Sequence, residues 1–152
     1  MSESTKEQIQ EIFNSHQPPE LAHAMSCAWL IAEQKGENLK VFNVSEKSSL
    51  AHFYVLASTQ NKIQSQTISD RLRKFLKEKT SRNITVEGEQ EAQWILVDFG
   101  SVIVHLFQES TRSIYDLDEL WKEYPQVEIP EHYYFSKRGL EASQKDPSNQ
   151  YF

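Results

Sequence analysis

One cysteine, Cys27, and four glycines that never cluster are the first constraints on this chain of 152 residues. A lone cysteine excludes an intrachain disulfide framework and any multi-cysteine zinc or iron–sulfur site, and it fits a reducing compartment. Gly36, Gly88, Gly100 and Gly139 stand too far apart to form a Walker or Rossmann phosphate loop. Long hydrophobic runs are also missing. The longest, Ala28 to Ala32 and Val102 to Phe107, fall far short of the ~20 residues that span a bilayer. The first residues, MSESTKEQIQEIF, are acidic, carry no Arg-rich stretch and hold no apolar signal core. No export or organelle address is therefore expected, and the expected compartment is the cytoplasm. Internal repeats and a G-x-S-x-G nucleophile elbow are absent too.

What remains is 38% hydrophobic and 25% charged, the composition of a soluble globular domain, at a length that suits one core. The net charge of −6 is segregated along the chain. Residues 62–82 carry seven basic groups against Asp70 and Glu78, whereas residues 83–135 carry eleven acids against Arg112 and Lys122. Solvated helix faces account for much of this. The acidic block also suits a basic partner, and it does not suit nucleic acid, whose phosphates need Lys and Arg.

Pro18-Pro19 opens a helix, because the missing N–H of a first-turn proline would be unpaired there anyway. Leu21, Met25, Ala28, Trp29 and Ala32 give it one apolar stripe, and Gly36 ends it as a residue able to take the left-handed cap. Residues 1–18 read more as an extension than as packed helix, although Ile9, Ile12 and Phe13 hold helical spacing. Leu39 to Val44 and His52 to Ser58 read as strands. Asn61, with Gln64 three residues on, caps a helix running to about Lys79 and buried through Ile68, Leu72, Phe75 and Leu76. Ile84 to Val86, Trp94 to Phe99 and Val102 to Phe107 read as three more strands. A last helix is expected from Tyr115 or Asp116, with Leu117, Leu120, Trp121 and Tyr124 as its apolar stripe and Pro125 as its stop. The tail beyond Pro130 loses periodicity, and Lys137 to Phe152 reads as loose. The order predicts an α/β (α+β) domain over residues 19–124, built on a mixed sheet of about five strands with packed helices. Residues 125–152 would be a carboxyl-terminal extension.

The hairpin around Gly100-Ser101 is the most informative segment. With an even loop, Ile95, Val97, Phe99, Val102, Val104 and Leu106 share one face and form core. The other face carries Trp94, Leu96, Asp98, Ile103, His105 and Phe107, mostly apolar yet holding a carboxylate and an imidazole. Such a face is either covered by the last helix or serves as a binding surface with Trp94 and Phe107 as anchors.

The stretch VEGEQEAQWILVDFGSVIVHLFQESTRSIYDLDELW resembles the ribosomal silencing factor, or Iojap-like, family. Its signature falls on Glu87-Gly88-Glu89, Trp94, Asp98-Phe99-Gly100, Val104-His105-Leu106-Phe107, Arg112, Tyr115, Leu117 and Leu120-Trp121, and the likeness runs from about Leu21 to Glu123. One segment departs from it. Members usually read Asp and later Thr-Gly-Thr-Ser, where this chain has His52 and Ser58-Thr59-Gln60-Asn61. The resemblance implies a nucleotidyltransferase-like topology and a non-enzymatic translation repressor with no cofactor. It implies docking on the large ribosomal subunit through large-subunit ribosomal protein fourteen, blocked subunit joining under nutrient limitation, and a homodimer when free. The expected partner-binding residues are the hairpin face of Trp94, Leu96, Asp98, Ile103, His105 and Phe107, together with the signature residues Glu89, Arg112 and Tyr115.

Two alternatives stand beside this reading. A nucleotidyltransferase-like enzyme needs a Gly-Ser loop followed by spaced carboxylates for Mg²⁺, but Gly100-Ser101 is a hairpin turn and Asp116-x-Asp118 sits at an expected helix start. A ribosomal-RNA-binding assembly factor would use the basic helix, with Arg71, Lys74 and Lys77 as candidate RNA contacts. A metal at Asp98 and His105 would be two ligands short, and no membrane partner is expected.

Overall fold

The computed structural model describes residues 2–16, 18–79 and 82–134. In chain order the elements are α1 (Glu3–Ser15), α2 (Pro19–Glu33), β1 (Glu37–Asn43), β2 (Phe53–Thr59), α3 (Lys62–Lys79), β3 (Thr85–Glu87), β4 (Trp94–Asp98), β5 (Val102–Gln108), α4 (Glu109–Tyr115), α5 (Leu117–Leu120) and β6 (Gln126–Val127). A 3-10 turn, Glu131–Tyr133, follows. The six strands form one mixed sheet in the order β3-β4-β5-β2-β1-β6. Only β2 and β5 pair in parallel, and α3 with the β3–β4 excursion carries the chain between them. The sixth strand is an addition to the expected five. It is two residues long, set beside Val41 and Phe42, and too short to leave an alternation in the sequence.

The hairpin register is the one the alternation predicts. Trp94 lies opposite Phe107, Leu96 opposite His105 and Asp98 opposite Ile103. Phe99 N–H donates to Val102 O at 3.2 Å, so the true turn is Gly100-Ser101, and Gly100 supplies the positive φ of +92° there. Ile95, Val97, Phe99, Val102, Val104 and Leu106 are all buried in the main core, with Ile68, Leu72, Phe75 and Leu76 of α3 and most of α2. A second, smaller core on the opposite side of the sheet joins Phe42, Leu56 and Phe107 to Leu117, flanked by Tyr54, Trp94, Trp121 and Tyr124.

Three local expectations change. Residues 3–15 form a true helix whose Ile9 and Ile12 enter the main core, and Ser2 Oγ caps it by accepting from Thr5 N–H. At the end of α2 the left-handed residue is Lys35, φ +67°, not Gly36. Gly36 N–H instead donates to Ile31 O at 2.9 Å while Lys35 N–H donates to Ala32 O, the Schellman pairing. Glycine is needed at 36 for space, since a Cβ would stand 2.4 Å from Ile31 Cγ2. The last helix is broken and begins earlier than expected. It starts at Glu109 directly after β5, stops at Asp116 with φ +46°, and resumes for one turn as α5. Leu120, placed in the buried stripe, is 70% exposed. The expected loose tail, Lys137 to Phe152, lies outside the described residues.

Candidate protein-docking face

The side of β4 and β5 turned away from α2 and α3 carries an aromatic shelf. Trp94 is half-buried and lies stacked on Phe107, ring centroids 4.7 Å apart, with Tyr115 at 5.2 Å. Its Nε1–H donates to His105 Nδ1 at 3.2 Å. That bond fixes the neutral tautomer with the proton on Nε2, and Nε2 is buried without a hydrogen-bond partner. Tyr54 and Trp121 pack edge-on against the imidazole at 5.5 and 5.0 Å. Burial in this apolar box pushes the His105 pKa down to about 4, so the ring is uncharged at neutral pH.

The nine residues expected to bind a partner therefore divide in two. Trp94, Leu96, Asp98 and Ile103 are half-exposed, and Glu89 and Tyr115 are exposed. Phe107 and His105 are not surface anchors, because both are buried beneath the Trp94, Tyr54 and Trp121 rings. They shape the shelf from below. Asp98 is partly spent on the turn, where its Oδ1 accepts from Gly100 N–H at 2.8 Å.

Arg112 is the second correction. It is 5% exposed, and its Nε and Nη2 clamp Asp118 in a bidentate pair at 3.0 and 2.8 Å. Nη1 donates to Asn38 O at 2.6 Å and to Ser58 Oγ at 2.9 Å. Lys40 Nζ reaches the same carboxylate at 2.7 Å. Burial alone would raise the Asp118 pKa, but the hydrogen bonds and charges of Arg112 and Lys40 outweigh it and hold the group at about 2. Asp118 is thus a structural anion already held by two cations. The atypical loop is absorbed in the same way: Ser58 serves Arg112, Thr59 Oγ1 bonds Ser65 Oγ and Phe107 O, and Asn61 Oδ1 caps α3 through Gln64 N–H at 2.8 Å. Gln64 completes a displaced capping box by accepting from Gln60 N–H, and His52 stays exposed.

Sequence reasoning missed Ile114, 77% exposed on α4 beside Tyr115. With Leu120 it extends the apolar surface of the carboxyl-terminal elements. No sequence signal marked it, because the burial of Arg112, which turns Ile114 to the other side of α4, is visible only in the structure. Glu87 on β3, Glu89 and Glu91 in the β3–β4 loop, and Glu109, Asp116 and Glu119 on α4, α5 and the residue between them are all exposed, so the shelf has acidic surroundings. Of the candidate RNA contacts, Arg71 Nη2 is bonded to Glu33 Oε1 at 2.7 Å, and Glu33 Oε2 accepts from Thr5 Oγ1, so Arg71 ties α3 to α2 and α1. Lys74 and Lys77 are exposed on α3, across the sheet from the shelf. Among the described residues no group of three His, Cys, Asp or Glu side chains is placed to hold a metal, and no helix is long and apolar enough to cross a membrane.

Residues 16–151 match the sequence model of a family described as "Ribosomal silencing factor during starvation". The ribosomal silencing factor RsfS of Halalkalibacterium halodurans is 31% identical over 99 residues, covering 65% of this chain and 85% of its own. The chloroplastic protein Iojap of Arabidopsis thaliana is 29% identical over 110 residues, 72% of this chain and 46% of its own. Among solved structures, one from Bacillus halodurans superposes with a TM-score of 0.61 at 30% identity, covering 74% of this chain and 100% of its own. Another, from Chromobacterium violaceum, gives 0.59 at 26% identity over 81% and 96%.

Proposed function

Because the chain belongs to the ribosomal silencing factor family, we propose that it binds the large ribosomal subunit through large-subunit ribosomal protein fourteen and so represses translation. Occupying that surface sterically blocks joining of the small subunit when nutrients are scarce. The observation that carries this reading is the half-open shelf of Trp94, Leu96, Ile103 and Tyr115, backed by buried His105 and Phe107 and surrounded by exposed carboxylates. A rigid aromatic patch inside an acidic rim suits a basic protein, because the rings supply desolvated area and the rim supplies charge complementarity. No chemical step is needed, for a repressor of this kind acts by filling space. The nucleotidyltransferase reading has less support. Asp118 is neutralised by Arg112 and Lys40, and Gly100-Ser101 is a turn that Asp98 closes. The proposed compartment is the cytoplasm, and the free protein is proposed to pair with a second copy.

Co-sedimentation with isolated large subunits tests the shelf. Trp94→Ala is expected to lose about 2 kcal/mol or more of binding, roughly thirtyfold in affinity, with circular dichroism confirming a folded chain. Trp94→Phe should recover much of it. A Trp94→Ala protein that sediments like the parent, or a parent that never sediments with large subunits, ends this reading. Nucleotide transfer from ATP with Mg²⁺ by pure protein would overturn the non-enzymatic assignment.

A further inference from the structure

We propose that the solvent face of α3 is a second docking surface, which takes the phosphodiester backbone of RNA. The choice of RNA over another polyanion rests on the ribosomal reading above. Residues 62–82 carry seven basic side chains against two acidic ones, and their contacts divide them. Arg71 is spent on Glu33, and Lys79 lies over the Phe13 ring at 5.4 Å. Arg82 packs against the β4–β5 turn at Gly100. Arg73 is only loosely held, 3.8 Å from Asp70 on the same helix. Lys62, Lys74 and Lys77 are exposed and have no ion pair or hydrogen bond among the described residues. A helix as polar as this needs no such excess of cations to stay folded. Its stability comes from Ile68, Leu72, Phe75 and Leu76 on the buried side.

The geometry suits a nucleic-acid strand. Lys62 to Lys77 are fifteen residues apart, so at about 1.5 Å per residue the cations extend over ~22 Å, roughly six steps of a strand at 3.4 Å. No aromatic side chain is exposed on α3, and its one exposed large apolar residue is Ile63. Base stacking is therefore not offered, and the contact is to phosphates without regard to sequence. A membrane surface would call for a line of apolar side chains alongside the lysines, which this face lacks. The loop before β4 reaches α3, where Glu89 O accepts from Gln66 Nε2 at 2.8 Å, so Glu89 offsets part of the charge near Lys62. The carboxylates of α4 and α5 do not cancel the lysines, because the sheet and a helix ~10 Å thick stand between them, more than the Debye length of about 8 Å at physiological salt. The two faces point in opposite directions, so the shelf can hold a protein while α3 meets RNA from the other side.

The test is fluorescence anisotropy of the full chain with a labelled, unstructured RNA of about 20 nucleotides, between about 50 and 200 mM KCl. Four cations (Lys62, Arg73, Lys74 and Lys77), each releasing about 0.7 counterion on a single strand, predict a log–log salt slope near −3, a fall of roughly fiftyfold across that range. The double variant Lys74→Gln/Lys77→Gln should halve that slope and weaken binding at the lower salt, while Trp94→Ala should bind RNA like the parent. The proposal is overturned if the double variant matches the parent, if affinity ignores salt, or if polyglutamate or anionic vesicles bind as well as RNA. Failure of the shelf would appear separately, as Trp94→Ala still sedimenting with large subunits.

Discussion

At the scale of single residues, His105 carries a direct consequence for stability in acid. Its folded pKa of about 4 lies below the ordinary 6.5, so the unfolded chain takes a proton first as pH falls. Stability is complete above about pH 6.5 and declines from there toward pH 4, by a total on the order of 3 kcal/mol. Asp118 then adds to the loss in a lower window. Its folded pKa of about 2 lies below the unfolded 3.8, so its contribution is present above 3.8 and disappears as pH falls toward 2. Urea midpoints at a series of pH values should show both declines, and His105→Leu should shrink the upper one while leaving the lower, the remainder of the upper belonging to His23, whose pKa burial also lowers. The sequence placed His105 on the right face of the right strand. What it could not show was how deep that face lies, because depth is set by Tyr54 and Trp121, which approach from distant parts of the chain.

At the scale of elements, the carboxyl-terminal helices are held by ions where α2 and α3 are held by apolar stripes. Ser110-Thr111-Arg112-Ser113 has no helical hydrophobic period, so α4 was not legible, whereas the β4–β5 register was fixed by six apolar residues in strict alternation. The period of a helix is readable when its buried face is apolar, and Arg112 makes that face polar here. Removing Arg112 as alanine leaves Asp118 and Ser58 without their shared donor and should cost about 3–5 kcal/mol. Hydrogen exchange should rise across 109–121 before it rises in β5. Arg112→Lys should rescue little, since an ammonium cannot span Asp118, Ser58 and the Asn38 carbonyl together. The β3–β4 turn is the other sensitive joint. Gly88 has φ +82°, and a Cβ there would stand 2.1 Å from the Trp94 carbonyl oxygen. Gly88→Ala should therefore lower stability by about 1–3 kcal/mol in thermal melts and disturb the strand that presents Trp94.

At the scale of the whole molecule, segregated charge becomes two opposed surfaces, an acidic aromatic one on β4, β5 and α4 and a basic one on α3. The fold class, five of the six strands and the helices on either side of the first hairpin were legible from periodicity and turn chemistry. The ribosomal assignment was not, and it came from the family resemblance. The packing of α1 was weakly signalled, because only Ile9 and Ile12 of its apolar residues are fully buried in the core, with Phe13 packed at its margin. The parallel β2–β5 pair at the centre of the sheet has a consequence during synthesis. Phe53 pairs with Val102 and Thr59 with Gln108, so β2 meets its central partner only after α3 and the β3–β4 hairpin have been made. Until then the β1–β2 ribbon has an open edge of Val55, Leu56 and Ala57, all buried once folded. At a few residues per second to about twenty, that edge waits for seconds on every ribosome that makes the chain, a template for aggregation that closes only when β5 emerges.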